Sequence, residues 1–343
     1  MPAKHRVPSA FLADTTQHAA SAARDRGRTR TAFDAVVVDK HVVIATMGGV
    51  YSIDPRMQAP SFVREVDDHA TWNVAVTGPE GSETLFASTF DEAILTLDEA
   101  HTDPSPPDQI GYRSTLMVQS DGHIIDLAVI GARLFFSVEV PGRVRSLSFD
   151  GGDGREHLSA GDAHQLNVDA AEDDASVSAW LNGSSPGSVG RVREDGTNEV
   201  FFDAYESPAD SSVAGDDRNN FYGTAALVTD DTHLYFSTYI APGGVGRVDK
   251  AAGLWGVIVR LPASFATDLV LDPSGDGLFY GEMDASDVTQ GRIMRVATSG
   301  LGEPTVVLDR GRSARTLLAY DGFLYVVLDP NGSDPFVTPI AID

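Results

Sequence analysis

One three-part phrase recurs along this chain and limits what it can fold into. In Ala225–Lys250 it reads AALVTDDTHLYFSTYIAPGGVGRVDK. An apolar run is followed by a polar turn, a second run built on Leu-Tyr-Phe-Ser, a Gly-rich turn, and a third run, Val-Gly-Arg-Val. The first part returns at 34–39, 73–78, 126–131, 165–170, 225–230, 268–273 and 316–321. The second returns at 41–47, 84–90, 133–140, 176–182, 233–240, 277–284 and 323–329. The third returns at 48–54, 92–98, 142–150, 188–195, 244–250 and 291–298, with a degenerate copy at 336–342. Fourth runs stand at 61–66, 114–119, 198–205, 256–262 and 304–309, with a weaker one at 154–161.

Four short strands per unit, repeated about every 40–50 residues, are the pattern of a β-propeller. A four-stranded sheet with two apolar faces cannot bury both alone, and packing unit on unit covers them. The runs are rich in Val, Leu, Phe and Tyr, and the turns carry Asp-Gly and Gly-Gly. The expectation is an all-β, seven-bladed β-propeller with four-stranded antiparallel blades. Six blades is the alternative, because the last unit reaches Asp343 with three strands only. RTRTAF (28–33) or HRVPSAFL (5–12) would supply the missing one. Residues 1–32 read as an N-terminal arm, or as a helix from Ser9 to about Arg26, and 33–343 as a single propeller domain. The long connections 101–113 and 206–220 read as functional or disordered loops.

Composition narrows the function. The formal net charge is -25, with only Lys4, Lys40 and Lys250 as lysines. Such a surface repels phosphate backbones and anionic membranes, so neither nucleic acid nor membrane is expected as a partner. Its acidity reads as a solubility trait or as a face for cations or a basic partner. Without cysteine there is no disulfide, thiolate nucleophile or Cys-held metal. No apolar run reaches transmembrane length and no signal-like segment opens the chain. A cytoplasmic, monomeric protein is expected, or a periplasmic or secreted one if a leader has been removed.

LYFST (234–238), LFFSV (134–138) and LFYGE (278–282) resemble the Leu-Tyr-Trp-Thr-Asp slot of YWTD, or LDL-receptor-type, propellers. The first-strand phrase is similar to the opening of NHL and SMP-30/gluconolactonase-like blades. These short motifs span about 34–343 and leave the subfamily open.

In a propeller the innermost strands begin at the mouth of the central channel. The residue expected to open each first strand is Asp34, Asn73, Asp126, Gln165, Ala225, Asp268 or Thr316. A ring of oxygen donors there would suit a hard divalent cation such as Ca²⁺; alternatively, Asp and Asn at strand starts bond backbone amides. Asp34, Asn73, Asp126, Gln165 and Asp268 are therefore the metal candidates. Loops joining second to third strands share that face and bring Asp91, Glu139, Asn182, Tyr239, Glu282, Asp284 and Asp329. Trp72, at a blade entrance, either stacks on a ligand or packs between blades. Glu282 lies in a strand of apolar letters, where a carboxylate is costly unless paired. His123 and His164 each precede a first strand, as general base, metal ligand or structural residue. The catalytic candidates are Glu282, His123 and His164. The resemblance to SMP-30-like lactonases implies a divalent cation held by Glu, Asn and Asp; Asp34 stands where that family opens its first blade with Glu. Asp272-Pro-Ser-Gly-Asp-Gly277 is similar to the start of an EF-hand loop, but Met283 occupies position twelve, and a hairpin turn explains it better.

Two functions follow. The first is a binding or scaffold propeller that engages a peptide, protein or small ligand at the channel mouth. The second is a metal-dependent hydrolase or lyase of the SMP-30 kind that uses the acidic mouth.

Overall fold

Alternating apolar runs joined by short polar turns fold as antiparallel meanders, and the computed structural model bears this out. It describes residues 32–38, 41–46, 49–53, 63–64, 71–78, 83–100, 111–138, 143–158, 162–169, 176–182, 188–193, 198–203, 224–238, 243–287, 290–309, 314–328 and 336–342. Among them there is no helix, and therefore none long and apolar enough to cross a membrane.

The strands form six four-stranded sheets and one of three, among the described residues. Sheet I holds β1 (Ala32–Val38), β2 (His41–Thr46), β3 (Gly49–Ile53) and β4 (Val63–Arg64). Sheet II holds β5 (Thr71–Thr77), β6 (Thr84–Thr89), β7 (Ala93–Ala100) and β8 (Gly111–Gln119). Sheet III holds β9 (Ile124–Ile130), β10 (Arg133–Val138), β11 (Arg143–Ser148) and β12 (Arg155–Leu158). Sheet IV holds β13 (Asp162–Asp169), β14 (Ser176–Asn182), β15 (Ser188–Arg193) and β16 (Asn198–Asp203). Sheet V holds β17 (Thr224–Thr229), β18 (His233–Thr238), β19 (Gly243–Asp249) and β20 (Trp255–Leu261). Sheet VI holds β21 (Ser264–Leu271), β22 (Gly277–Asp284), β23 (Gly291–Ala297) and β24 (Thr305–Asp309). Sheet VII holds β25 (Ala314–Tyr320), β26 (Phe323–Leu328) and β27 (Phe336–Ala341). In every sheet the strands lie in sequence order.

The chain divides into two compact units, one of residues 1–117 with 315–343 and one of 118–314. In the first, β1 lies beside β5. Val43, Ala45, Val74, Leu85 and Leu95 pack sheet I on sheet II, and Ala35, Val42 and Ile44 pack on Tyr325, Val327 and Val337 of sheet VII. In the second, β9, β13, β17 and β21 lie side by side in that order. Tyr235, Val245, Val259 and Leu261 of sheet V are buried against Leu269, Tyr280 and Met294 of sheet VI.

The first strands begin one to four residues earlier than the apolar pattern predicts, and in six sheets the start is irregular. A register shift interrupts the first-to-second-strand pairing between Ala32 and Asp34, Thr71 and Val74, Ala163 and Leu166, Thr224 and Leu227, and Ala266 and Leu269. In sheet III it falls beyond Asp126, between Ser137 and Val138. Such bulges re-aim side chains locally. Asn73, Gln165 and Asp268 therefore lie inside their strands at the bulge, and Asp34 and Asp126 directly beside it. Register also places Ala226, rather than Ala225, in this position, since Leu227 pairs with Phe236 as Val74 pairs with Ala87.

Candidate functional site

The bulge residues are held by backbone hydrogen bonds. The Asp34 carboxylate accepts the Ala35 N–H at 2.8 Å and, from the neighbouring sheet, the Val74 N–H at 3.0 Å. It thus stitches β1 to β5. Burial pushes its carboxyl up to about 6, against the pull of those two N–H groups. Asp126 and Asp268 repeat the first contact, each accepting the next residue's N–H at 2.8 Å. A bulge disrupts the ladder, and a short carboxylate is well placed to take up the amide beside it. Asn73 uses another partner: its Oδ1 accepts the Ser88 hydroxyl at 3.0 Å, and Ser88 Oγ accepts the Asn73 N–H at 3.0 Å. In sheet V the equivalent residue is Ala226, which offers no acceptor, and the buried Ser237 Oγ has no partner among the described residues.

Glu282 is paired on both oxygens. Arg292 donates Nε–H to Oε2 at 2.9 Å and an N–H from Nη2 to Oε1 at 3.1 Å, while Ser264 Oγ donates to Oε1 at 2.7 Å. This is the pairing that a carboxylate in an apolar strand requires. Asp284, the exposed last residue of β22, accepts the Ser286 hydroxyl at 2.6 Å and the Ser286 N–H at 2.7 Å; these hold its carboxyl below the ordinary range. Asp91 is exposed in the β6–β7 turn. The half-buried Trp72 meets Phe90 edge-on, with ring centroids 4.7 Å apart. His123 is half-buried just ahead of β9.

His164 and Gln165 lie in β13 and Asn182 ends β14, but their side chains fall outside the described residues. Glu139, Tyr239, Asp329 and the loops 101–110 and 206–220 also fall outside, as do 5–12 and the helix expected over 9–26. Ala32 and Phe33 belong to β1, which leaves RTRT of RTRTAF outside. Among the described residues no three His, Asp or Glu side chains stand close enough to share a metal ion.

The Asp272–Gly277 segment is a hairpin turn. The Asp272 N–H donates to the Gly277 carbonyl at 2.9 Å, and Gly275 takes φ +80°. Arg295 clamps it, donating from Nε to Asp272 at 2.8 Å and from Nη2 to Asp276 at 2.5 Å. Burial pushes the Asp272 carboxyl up, but the Ser274 N–H and Arg295 outweigh it and hold it below the usual range.

The polar clusters missed in the sequence are arginine-centred. Third-strand register places Arg247 opposite Tyr235 and Arg295 opposite Phe279. In sheet III that position is Ser146, opposite Phe135, and the buried Arg133 reaches it from the adjacent strand. Arg133 donates from Nε to Ser146 Oγ at 2.8 Å and from Nη1 to Asp153 at 2.8 Å. Ser146 Oγ lies 2.7 Å from His157 Nε2, and the His157 ring stacks on Phe135. The Gly246-Arg247 of the third-strand phrase was a signal for the first of these arginines; Arg295, after Met294, and Arg133, after Ala132 in a second strand, carry no such signal.

No family model matches the chain, and no curated protein does. Solved structures do. The WD40 β-propeller domain of Doa1 is 14% identical with a TM-score of 0.60, covering 91% of this chain and 94% of its own. YCF48 from Cyanidioschyzon merolae is 11% identical with a TM-score of 0.59, covering 92% and 97%. The nidogen/laminin complex gives 14% identity and a TM-score of 0.51, covering 75% and 89%. At such identities the likeness carries the fold and no activity. The chain is a β-propeller repeat protein of unassigned subfamily.

Proposed function

We propose that this chain is a binding or scaffold propeller whose partner is a protein or peptide. The observation that carries this reading is the way the carboxylates are used. Asp34, Asp126 and Asp268 accept backbone amides, and Glu282 is paired with Arg292 and Ser264. Carboxylates committed to holding the fold are poor candidates for catalysis. Asp91, in the β6–β7 turn, Asp284, at the end of β22, and Trp72 are the side chains we assign to partner contact. We read the seven sheets as seven blades. The fourth strand of sheet VII would come from HRVPSAFL (5–12), where Pro8 suits an edge position.

The test is a thermal melt with and without EDTA, then with Ca²⁺, Mg²⁺, Mn²⁺ or Zn²⁺ added back. A resident ion stabilises the folded state by mass action, about 3–4 kcal/mol at a hundred- to thousandfold excess over its Kd. A melt indifferent to every cation is expected. A melt lowered by EDTA and restored by one cation would replace this reading with the metal-dependent hydrolase or lyase, holding Ca²⁺ or a similar ion at Asp34, Asn73, Asp126, Gln165 and Asp268.

A further inference from the structure

Sheet II carries an aromatic corner next to a turn with two carboxylates, and all of these residues lie within the first unit. Trp72 and Asn73 are the residues taken up by the bulge in β5, between Thr71 and Val74. The half-buried Trp72 and Phe90 rings stand 79° apart with centroids at 4.7 Å, so they make a corner and not a stack. Phe90 begins the β6–β7 turn, followed by the exposed Asp91 and the half-buried Glu92. Thr89 fixes this turn: its carbonyl accepts the Glu92 N–H at 3.2 Å, and its Oγ1 accepts the Ala93 N–H at 3.2 Å. Glu92 takes φ +63°, a left-handed conformation that favours glycine, yet a carboxylate side chain stands there.

We propose that this corner receives a lysine or arginine side chain of a basic protein or peptide, with its cationic head on the aromatic rings and its charge balanced by Asp91 and Glu92. The proposal rests on the scaffold reading above, in which Trp72 and Asp91 meet the partner, and it gives that partner's chemistry. Aromatic ring faces attract cations, tryptophan most strongly. The neighbouring carboxylates favour the same guest, and a net charge of -25 steers basic partners toward the chain and acidic ones away. The hydrogen-bonded turn holds Phe90 in place, which lowers the cost of ordering the corner on binding.

The experiment is NMR titration of the full chain with n-butylammonium and n-propylguanidinium, the side-chain ends of lysine and arginine, and with 1-butanol as the neutral match. Trp72, Trp180 and Trp255 are the only tryptophans, and Trp72→Phe identifies the indole N–H signal to follow. At constant ionic strength that signal should move along a saturating curve with each cation and stay still with butanol. The signal of Trp255, buried in sheet V, should not respond. Asp91→Asn should weaken cation binding about two- to fivefold. Glu92→Gly should weaken it likewise while its melt stays level or rises, since glycine accepts the left-handed backbone. The proposal is overturned if the Trp72 signal gives no saturating response to either cation, if butanol moves it as much, or if both variants bind like the parent. The scaffold reading would survive that failure, because the melt with EDTA and added cations decides it.

Discussion

Asp34 combines a half-buried carboxylate with a link between two sheets, and its ionisation should be visible in stability. Its carboxyl titrates near 6 in the folded chain, against an ordinary 3.8. The folded state therefore holds more protons than the unfolded state between about pH 4 and pH 6, and stability falls as pH rises through that window. Asp34→Asn keeps an oxygen for the amides and removes the titration. Denaturant unfolding at a series of pH values should show the parent losing about 1–2 kcal/mol more than the variant across the window. A second residue-scale comparison sets Ser88 against Ser237. Ser88→Ala leaves Asn73 without its hydroxyl partner and should cost about 1–2 kcal/mol. Ser237→Ala removes a buried hydroxyl that has no partner among the described residues and should be neutral or slightly stabilising.

Elements in this chain are held in place by close approach and by arginine clamps. Gly246, in β19, faces the buried Phe236 ring, and a Cβ there would lie 2.3 Å from it. Gly246→Ala should cost about 2–3 kcal/mol by chemical denaturation, because the ring has nowhere to move. At Gly277 the nearest atoms are the Arg295 guanidinium, 2.5 Å from a built Cβ. That side chain can swing away, so Gly277→Ala should cost less. The sequence made the strands legible: alternation and turn residues placed nearly every one within a residue or two, apart from the first-strand starts and the short β4. It concealed the bulges, because an inserted residue changes the backbone without needing a particular letter. The pairing of Glu282 was equally hidden, since Arg292 is a strand neighbour only once the β22–β23 register is known. Arg133 was harder still, because it fills a third-strand position from the second strand.

At the scale of the whole molecule the excess of acidic residues should govern the response to salt. A charge of -25 repels itself in the folded state, and the screening length shrinks to about 10 Å at 0.1 M salt. The melting temperature should therefore rise between 10 mM and 0.5 M NaCl in scanning calorimetry; a flat or falling curve would mean that the folded state is not strained by its charge. A chain lacking residues 1–12 should melt lower than the full chain if HRVPSAFL completes sheet VII. An unchanged melt would leave that sheet three-stranded.

The bulge has a consequence for how such a chain can change over time. At the bulge position, aspartate, asparagine, glutamine and alanine have all been accepted, while the shift in strand pairing recurs from sheet to sheet. What recurs there is a backbone path, and many alphabets can spell it. Chains only 11–14% identical can therefore lie along most of one another's length.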